Sequence, residues 1–245
     1  MLWPSRWPAT FLGFRDAAPA RYKVDIYCDQ GRRSQMEDRH VAFEDLNALL
    51  DVQDADAPEQ AFFGVYDGHG GVDAANYTAA QLHLQVTAQE AFKTDPAAGL
   101  RAGFKATDVA FLKKAEREAL TSGATACAVL MRPKKLYISW LGDSQAMLCR
   151  GGKDVELMIP HKPSNEDEKK RIEDNGGVVV WYGAWRVNGI LSVARAIGDK
   201  KLKQWVIGDP DVGEFDLDGS EEFMLIACDG LWDVMDSEKV CSPVT

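Results

Sequence analysis

No apolar run in this chain approaches the roughly 20 residues that a membrane-spanning helix needs. Basic residues are in deficit, with 28 Lys and Arg against 38 Asp and Glu and a formal charge of -10. That balance excludes a protein that grips nucleic acid by its phosphates, which requires a basic surface. The five cysteines form no Cys-x-x-Cys pair, so zinc-ribbon and thioredoxin-like sites are not expected. Most lie in apolar stretches and read as reduced, buried thiols of a protein in a reducing compartment, cytoplasmic or nuclear. A Cys-x₅-Arg phosphatase loop is absent too, since Cys127 and Arg132 have only four residues between them. No internal repeat or low-complexity linker divides the chain, so a single main domain is expected. The first fifteen residues hold Arg6 and Arg15 but no acid, and Pro4 and Pro8 would interrupt the amphipathic helix of a presequence. Residues 1–20 are therefore expected as a loosely ordered tail.

What is present is an ordinary globular composition, 46% hydrophobic over 245 residues, enough for a large core. Tyr22–Cys28 reads as a strand, followed by a Gly-Arg-Arg turn and a second strand through His40–Phe43. Asp51–Gln60 is polar and should be a loop, and Ala61–Tyr66 reads as a fully buried strand. Apolar residues recur at helical spacing over Val72–Phe92 and Ala97–Leu120. The period then changes. Ala124–Met131, Lys135–Leu141, Ala146–Arg150 and Val155–Ile159 are short runs separated by turn residues, as in an antiparallel meander. Ser164 is expected to cap a helix with Asp167 as its capping-box partner, the helix ending at Gly176-Gly177. Val178–Val187 reads as strand, Ser192–Ile197 as helix, Glu221–Cys228 as strand and Asp236–Val240 as the start of a helix. Antiparallel groups with helices clustered between them indicate an α+β fold of packed sheets with helices outside.

The chemistry gathers in two acidic-glycine segments, Asp67-Gly68-His69-Gly70-Gly71 and Asp229-Gly230-Leu231-Trp232-Asp233. Asp-Gly is first a hairpin-turn signal. Both segments, however, close runs too apolar for surface hairpin arms, and the first continues into a helix. Carboxylates at rigid strand ends suit hard divalent cations, and the Gly68 carbonyl adds a further oxygen. Upstream stand Glu37 and Asp38. On a strand, neighbours face opposite ways, so Glu37 is assigned to the site and Asp38 to an outer position reached through water. Asp143, in Gly142-Asp143-Ser144, and Asp233 are open between turn or helix-start acids and ligands. Arg33 has the planar fork to hold an anion. Among the histidines only His69 sits in a ligand-like setting; His40, His83 and His161 read as structural.

The segments Arg33-Ser-Gln-Met-Glu-Asp38, Asp67-Gly-His-Gly-Gly71, Gly123-Ala-Thr-Ala126, Leu141-Gly-Asp-Ser144, Arg186-Val-Asn-Gly189, Ser192-Val-Ala-Arg-Ala-Ile-Gly-Asp199 and Asp229-Gly-Leu-Trp-Asp233 resemble the metal-dependent protein phosphatases of the PP2C type. They stand in the family's order from about Tyr22 onward, and several look like the animal phosphatases acting on calcium/calmodulin-dependent kinases. The resemblance implies a four-layer α-β-β-α sandwich spanning 21–245. It also implies hydrolysis of phosphoserine and phosphothreonine by two Mn²⁺ or Mg²⁺ ions and a hydroxide that bridges them. Carried over by position, it makes Asp67 the bridging ligand, with Glu37 and the Gly68 carbonyl on one side and Asp229 on the other. Arg33 then holds phosphate, His69 is the general acid, Asp38 assists, and Asp143, Asp229 and Asp233 mark a weaker third metal position. The flap beside the cleft corresponds roughly to Lys162–Arg186. The resemblance leads one to expect a monomer with phosphoprotein partners, while charge and the lack of long apolar runs point to no nucleic acid and no membrane. The family's further Asp-Asn motif is not found before Thr245, so a domain truncated at its C-terminus is expected. The alternative is a truncated or degenerate phosphatase that binds phosphoproteins without turnover.

Overall fold

The computed structural model describes residues 9–13, 22–53 and 57–242. Two five-stranded antiparallel sheets face each other. One runs, in spatial order, Asp211–Asp216, Lys135–Leu141, Ala126–Arg132, Ala61–Tyr66 and Arg39–Phe43. The other runs Lys153–Glu156, Gln145–Arg150, Glu221–Ala227, Ala9–Gly13 and Lys23–Tyr27.

Strand periodicity assigns the layers. Along Ala61–Tyr66, Ala61, Phe63 and Val65 point between the sheets, where they meet Leu148, Met224 and Ile226. Phe62 and Tyr66 point the other way, onto Leu82, Leu100, Phe104 and Phe111 of the helices Asp73–Thr87 and Pro96–Glu118. In the second sheet Leu225 and Ala227 face outward and pack with Leu231 and Cys241 of the short helices Asp229–Trp232 and Ser237–Cys241. The result is the helix–sheet–sheet–helix sandwich that the resemblance implies. A strand buried on both faces cannot alternate polar and apolar residues, which is why Ala61–Tyr66 reads as a continuous apolar run. Among the described residues no helix is long and apolar enough to cross a membrane.

Several local expectations are corrected. Ala9–Gly13, inside the segment expected as a loose tail, is a strand between Lys23–Tyr27 and Glu221–Ala227; the remainder of 1–20 lies outside the described residues. Ser164 does not cap the helix Glu166–Asp174: Asn165 does, its side-chain oxygen accepting from the Asp167 N–H at 3.1 Å. Ser192–Ile197 is not a helix. Its apolar positions Val193, Ala194 and Ala196 are buried, but its amides bond elsewhere, Ala194 to the His161 carbonyl and Ala196 to that of Ile207. The Val72–Phe92 helix stops at Thr87, and a separate 3-10 turn covers Glu90–Lys93. Val178–Val187 is a hairpin of Val179–Trp181 and Trp185–Val187. The edge strand Asp211–Asp216 carries three acids in six residues and has no strand signature in sequence.

Candidate functional site

One strand from each facing sheet ends at the site, and each delivers an acid. Asp67 follows Ala61–Tyr66, and Asp229 follows Glu221–Ala227 and Cys228. Thr125 anchors the first: its N–H donates to the Asp67 carbonyl at 2.9 Å, and its hydroxyl accepts from the Asp67 N–H at 3.4 Å. The Asp67 carboxyl is within hydrogen-bonding reach of both Asp38 and Asp229. Single ligand atoms of Asp38, Asp67 and Cys228 lie within 4.8 Å of one another, and the Cys228 thiol donates to Asp38 at 3.3 Å.

Burial, and then the charges of Asp38, Asp229 and Asp143, push the Asp67 carboxyl well above the usual carboxylate range. Burial also raises Asp38, with the Asp229 charge adding to it and the Cys228 hydrogen bond and Arg33 opposing. Asp143 is lifted to about 7 by burial and by Asp229, against the pull of Lys162. Three raised carboxyls, Asp38, Asp67 and Asp143, each beside Asp229 in an enclosed space, form a site whose charge is unbalanced. A set of oxygen donors suits hard divalent cations, and bound cations would offset that charge, so the residues present fit such ions.

Arg33, Glu37, Asp38, Asp67, Gly68 and Asp229 line one cleft of about 430 Å³. Asp229 also lines a neighbouring cavity of about 260 Å³, together with Asp143, Asp233, Lys162 and the hairpin's Trp181 and Trp185. Lys162 lies 3.7 Å from Asp233. Gly68 has no room for a side chain, since a Cβ would lie 2.5 Å from the Glu37 carbonyl oxygen. His69 is held separately, its Nε2 2.7 Å from Asp199 Oδ2.

Residues 22–245 match the family model described as Protein phosphatase 2C. The chain belongs to the protein phosphatase 2C family. It is 48% identical over 224 residues to Protein phosphatase 1E of Mus musculus, covering 91% of this chain and 30% of that one. To Protein phosphatase 1F of Homo sapiens it is 45% identical over 224 residues, covering 91% of this chain and 49% of that one. The chain thus spans half or less of these relatives. A solved C. elegans sex-determining protein superposes with a TM-score of 0.79 at 26% identity, over 96% of this chain and 55% of its own. A solved serine-threonine phosphatase 2C from Toxoplasma gondii gives a TM-score of 0.75 at 23% identity, over 97% of this chain and 82% of its own, and shares the fold.

Within this phosphatase 2C fold Glu37 and Asp38 both line the cleft, so Asp38 is not the outer residue that alternation assigned. Residues 28–38 form a loop rather than a pleated strand, which begins only at Arg39. Alternation therefore does not govern them. Asp38 is the acid that meets Asp67, whereas Glu37 Oε1 accepts from the Gly71 N–H at 2.8 Å while lining the same cleft. Arg33 is exposed on that loop, tied by the Gln30 side chain donating to its carbonyl at 2.8 Å. Asp143 and Asp233 join Asp229 in the second cavity, and His69 lines neither. Sequence reasoning missed Cys228 and Asp199. The first was indistinguishable from a buried core thiol, and the second closes the Ser192–Asp199 segment that carries the family resemblance, with no role attached to it there.

Proposed function

We propose that the chain hydrolyses phosphoserine and phosphothreonine in proteins, using divalent cations held by Glu37, Asp67, the Gly68 carbonyl and Asp229, with Asp38 beside them. The observation that carries this reading is the meeting of the Asp38, Asp67 and Asp229 carboxyls in a cleft with Arg33 at its edge. Two ions, Mn²⁺ or Mg²⁺, when bound there would supply Lewis acidity and an activated water for the attack. Asp143 and Asp233 with Asp229 offer a further, weaker position. Phosphate monoesters are among the slowest esters to hydrolyse unaided, so orientation and charge compensation must both be supplied.

The side chains divide that work. The Arg33 fork pairs two phosphoryl oxygens and fixes the ester for in-line displacement. His69 gives a proton to the departing seryl or threonyl oxygen, which as a free alkoxide is a poor leaving group. The Trp181 and Trp185 rings, 5.7 Å apart and edge to face, offer an apolar platform beside the second cavity. Resemblance to kinase-directed phosphatases makes calcium/calmodulin-dependent kinases the first substrates to try.

The test replaces Asp67 with Asn and measures Mn²⁺-dependent phosphate release from a phosphothreonine peptide. A loss of about 10²-fold or more in kcat is expected, by analogy with removal of one electrostatic stabiliser. Turnover equal to the unsubstituted chain would overturn the reading.

A further inference from the structure

The turn at Ile197–Lys200 holds a strained backbone that its exposed neighbours do not require. Gly198 (φ 85) and Asp199 (φ 50) lie consecutively in the left-handed region. A non-glycine residue is uncommon there and persists only where its surroundings enforce it. Five contacts do so. The Gly198 N–H donates to buried Asp108 at 2.8 Å, and the Asp199 N–H donates to the Ser122 carbonyl at 3.2 Å. Lys203 bridges Asp108 at 3.0 Å and the Ala196 carbonyl at 2.9 Å. Ile197–Gly198 pairs with Gly123–Ala124.

What this frame delivers is one carboxylate. Asp199 is 7% exposed, and its Oδ2 lies 2.7 Å from His69 Nε2. Gly123 leaves the space for that contact. A Cβ there would lie 2.0 Å from Asp199 Oδ2 and 2.4 Å from His69 Nε2. His69 itself stands on the two-residue strand Gly68–His69, directly before the left-handed glycines Gly70 and Gly71. Among the described residues no other hydrogen bond holds its ring.

We propose that Asp199 is a positioning residue for the reaction: it pins the His69 imidazole by its Nε2 edge and leaves Nδ1 as the nitrogen that serves the leaving oxygen. The fold spends a strained turn, a buried Asp108–Lys203 pair and an obligatory glycine on one ring orientation. Such orientation by a neighbouring carboxylate is how an acid–base histidine is fixed in one arrangement. The inference rests on His69 as the proton donor, and its test keeps the two separate.

His69→Ala, Asp199→Asn and Gly123→Ala are compared on a phosphothreonine peptide and on 4-nitrophenyl phosphate, whose phenolate leaves without a proton. With His69→Ala, kcat on the peptide should fall at least about tenfold further than on the aryl ester. Asp199→Asn and Gly123→Ala should reproduce that discrimination in kcat, with KM changing less than about threefold. Asp199→Asn placed on His69→Ala should add less than about twofold. If His69→Ala discriminates and the other two do not, the positioning role falls while the proton-donor reading stands. If every variant loses both substrates equally, the donor reading falls and takes this inference with it. Long-range ¹H–¹⁵N spectra of the unsubstituted chain, with the His69 signal assigned by its loss in His69→Gln, should show the proton on Nε2. An unprotonated Nε2 would overturn the proposal even if the Asp199 and Gly123 variants fail to fold.

Discussion

At the scale of single residues the site is defined by carboxyls that resist ionisation. Asp143 is raised to about 7, by burial first and by Asp229 second, and Asp67 is raised well above the usual carboxylate range by burial and three neighbouring acids. A carboxyl whose folded pKa lies above its unfolded value of about 3.9 keeps a proton that the unfolded chain has released. Its stabilising contribution is complete below pH about 4 and is lost as pH rises through about 7, up to roughly 4 kcal/mol for Asp143 alone. Asp211 works in the opposite sense. Held down to about 2 by the His161 hydrogen bond and then by Arg195, it costs stability only as pH falls below about 4. Chelator-treated protein should therefore melt at progressively lower temperature from pH 4 to 7.5. Saturating Mn²⁺ should remove most of that slope, because a cation favours the ionised acids. A melting temperature in chelator that climbs with pH over this range would contradict the electrostatic account of the cleft.

Residue types alone pointed to Asp67, Asp229 and Gly68, because an acid and a glycine closing a buried strand are uncommon unless something binds there. The entry of Asp38 as well as Glu37 into the cleft was not legible. It depended on whether residues 28–38 were pleated, and a loop with one glycine and a pair of arginines carries no period. Cys228 was hidden for a similar reason, since a thiol facing a carboxylate and a thiol facing leucines have the same sequence context.

At the scale of elements, the flap is built from pieces that are individually small. The helix Glu166–Asp174 is tied down by Glu168, whose buried carboxylate takes bonds from Arg171 at 2.8 Å and from Arg195. Those two arginines hold the carboxyl below its usual range in spite of its burial. Arg195 in turn reaches Asp211 at 3.0 Å, so the flap is bolted to the edge strand of one sheet. The hairpin beyond it meets that helix through the Lys169 ammonium over the Trp185 ring at 6.0 Å and shows Trp181 at 62% and Tyr182 at 77% exposure. Large aromatic surface left in water beside a cavity marks a contact surface. Trp181→Ala and Trp185→Ala should each raise the KM for a phosphopeptide about 3- to 10-fold, the value of one aromatic contact. Turnover of 4-nitrophenyl phosphate should change far less, and parallel losses on both substrates would place the rings in the chemistry instead. The hairpin was half visible in sequence: its strands read correctly, but its turn did not, because Trp-Tyr-Gly-Ala-Trp resembles a continuous apolar run. The Ser192–Ile197 error has the same origin. Helical spacing of buried residues also arises when an irregular segment is folded against a core and bonded to strands far away.

At the scale of the whole molecule, the sandwich holds the acids together by holding the sheets together. Phe63 is fully buried between them, edge-on to Tyr22 at 6.2 Å, four residues before Asp67. Phe63→Ala should cost about 3–5 kcal/mol, read as a lower urea midpoint at unchanged slope. Mn²⁺ affinity should weaken along with stability, because loosening the sheets separates Asp67 from Asp229. Undiminished Mn²⁺ affinity would mean that the site is held by its loops and not by the core.

The buried strands, the two long helices and the order of the acidic motifs follow from the sequence itself, because periodicity, glycine placement and side-chain polarity are local properties. The partners of those acids do not. Asp67 faces Asp229 from 162 positions away, and His69 meets Asp199 across 130. Only the packing of one sheet on the other, and the closure of a strained turn over a glycine, brings such groups within hydrogen-bonding distance. No local pattern encodes that separation.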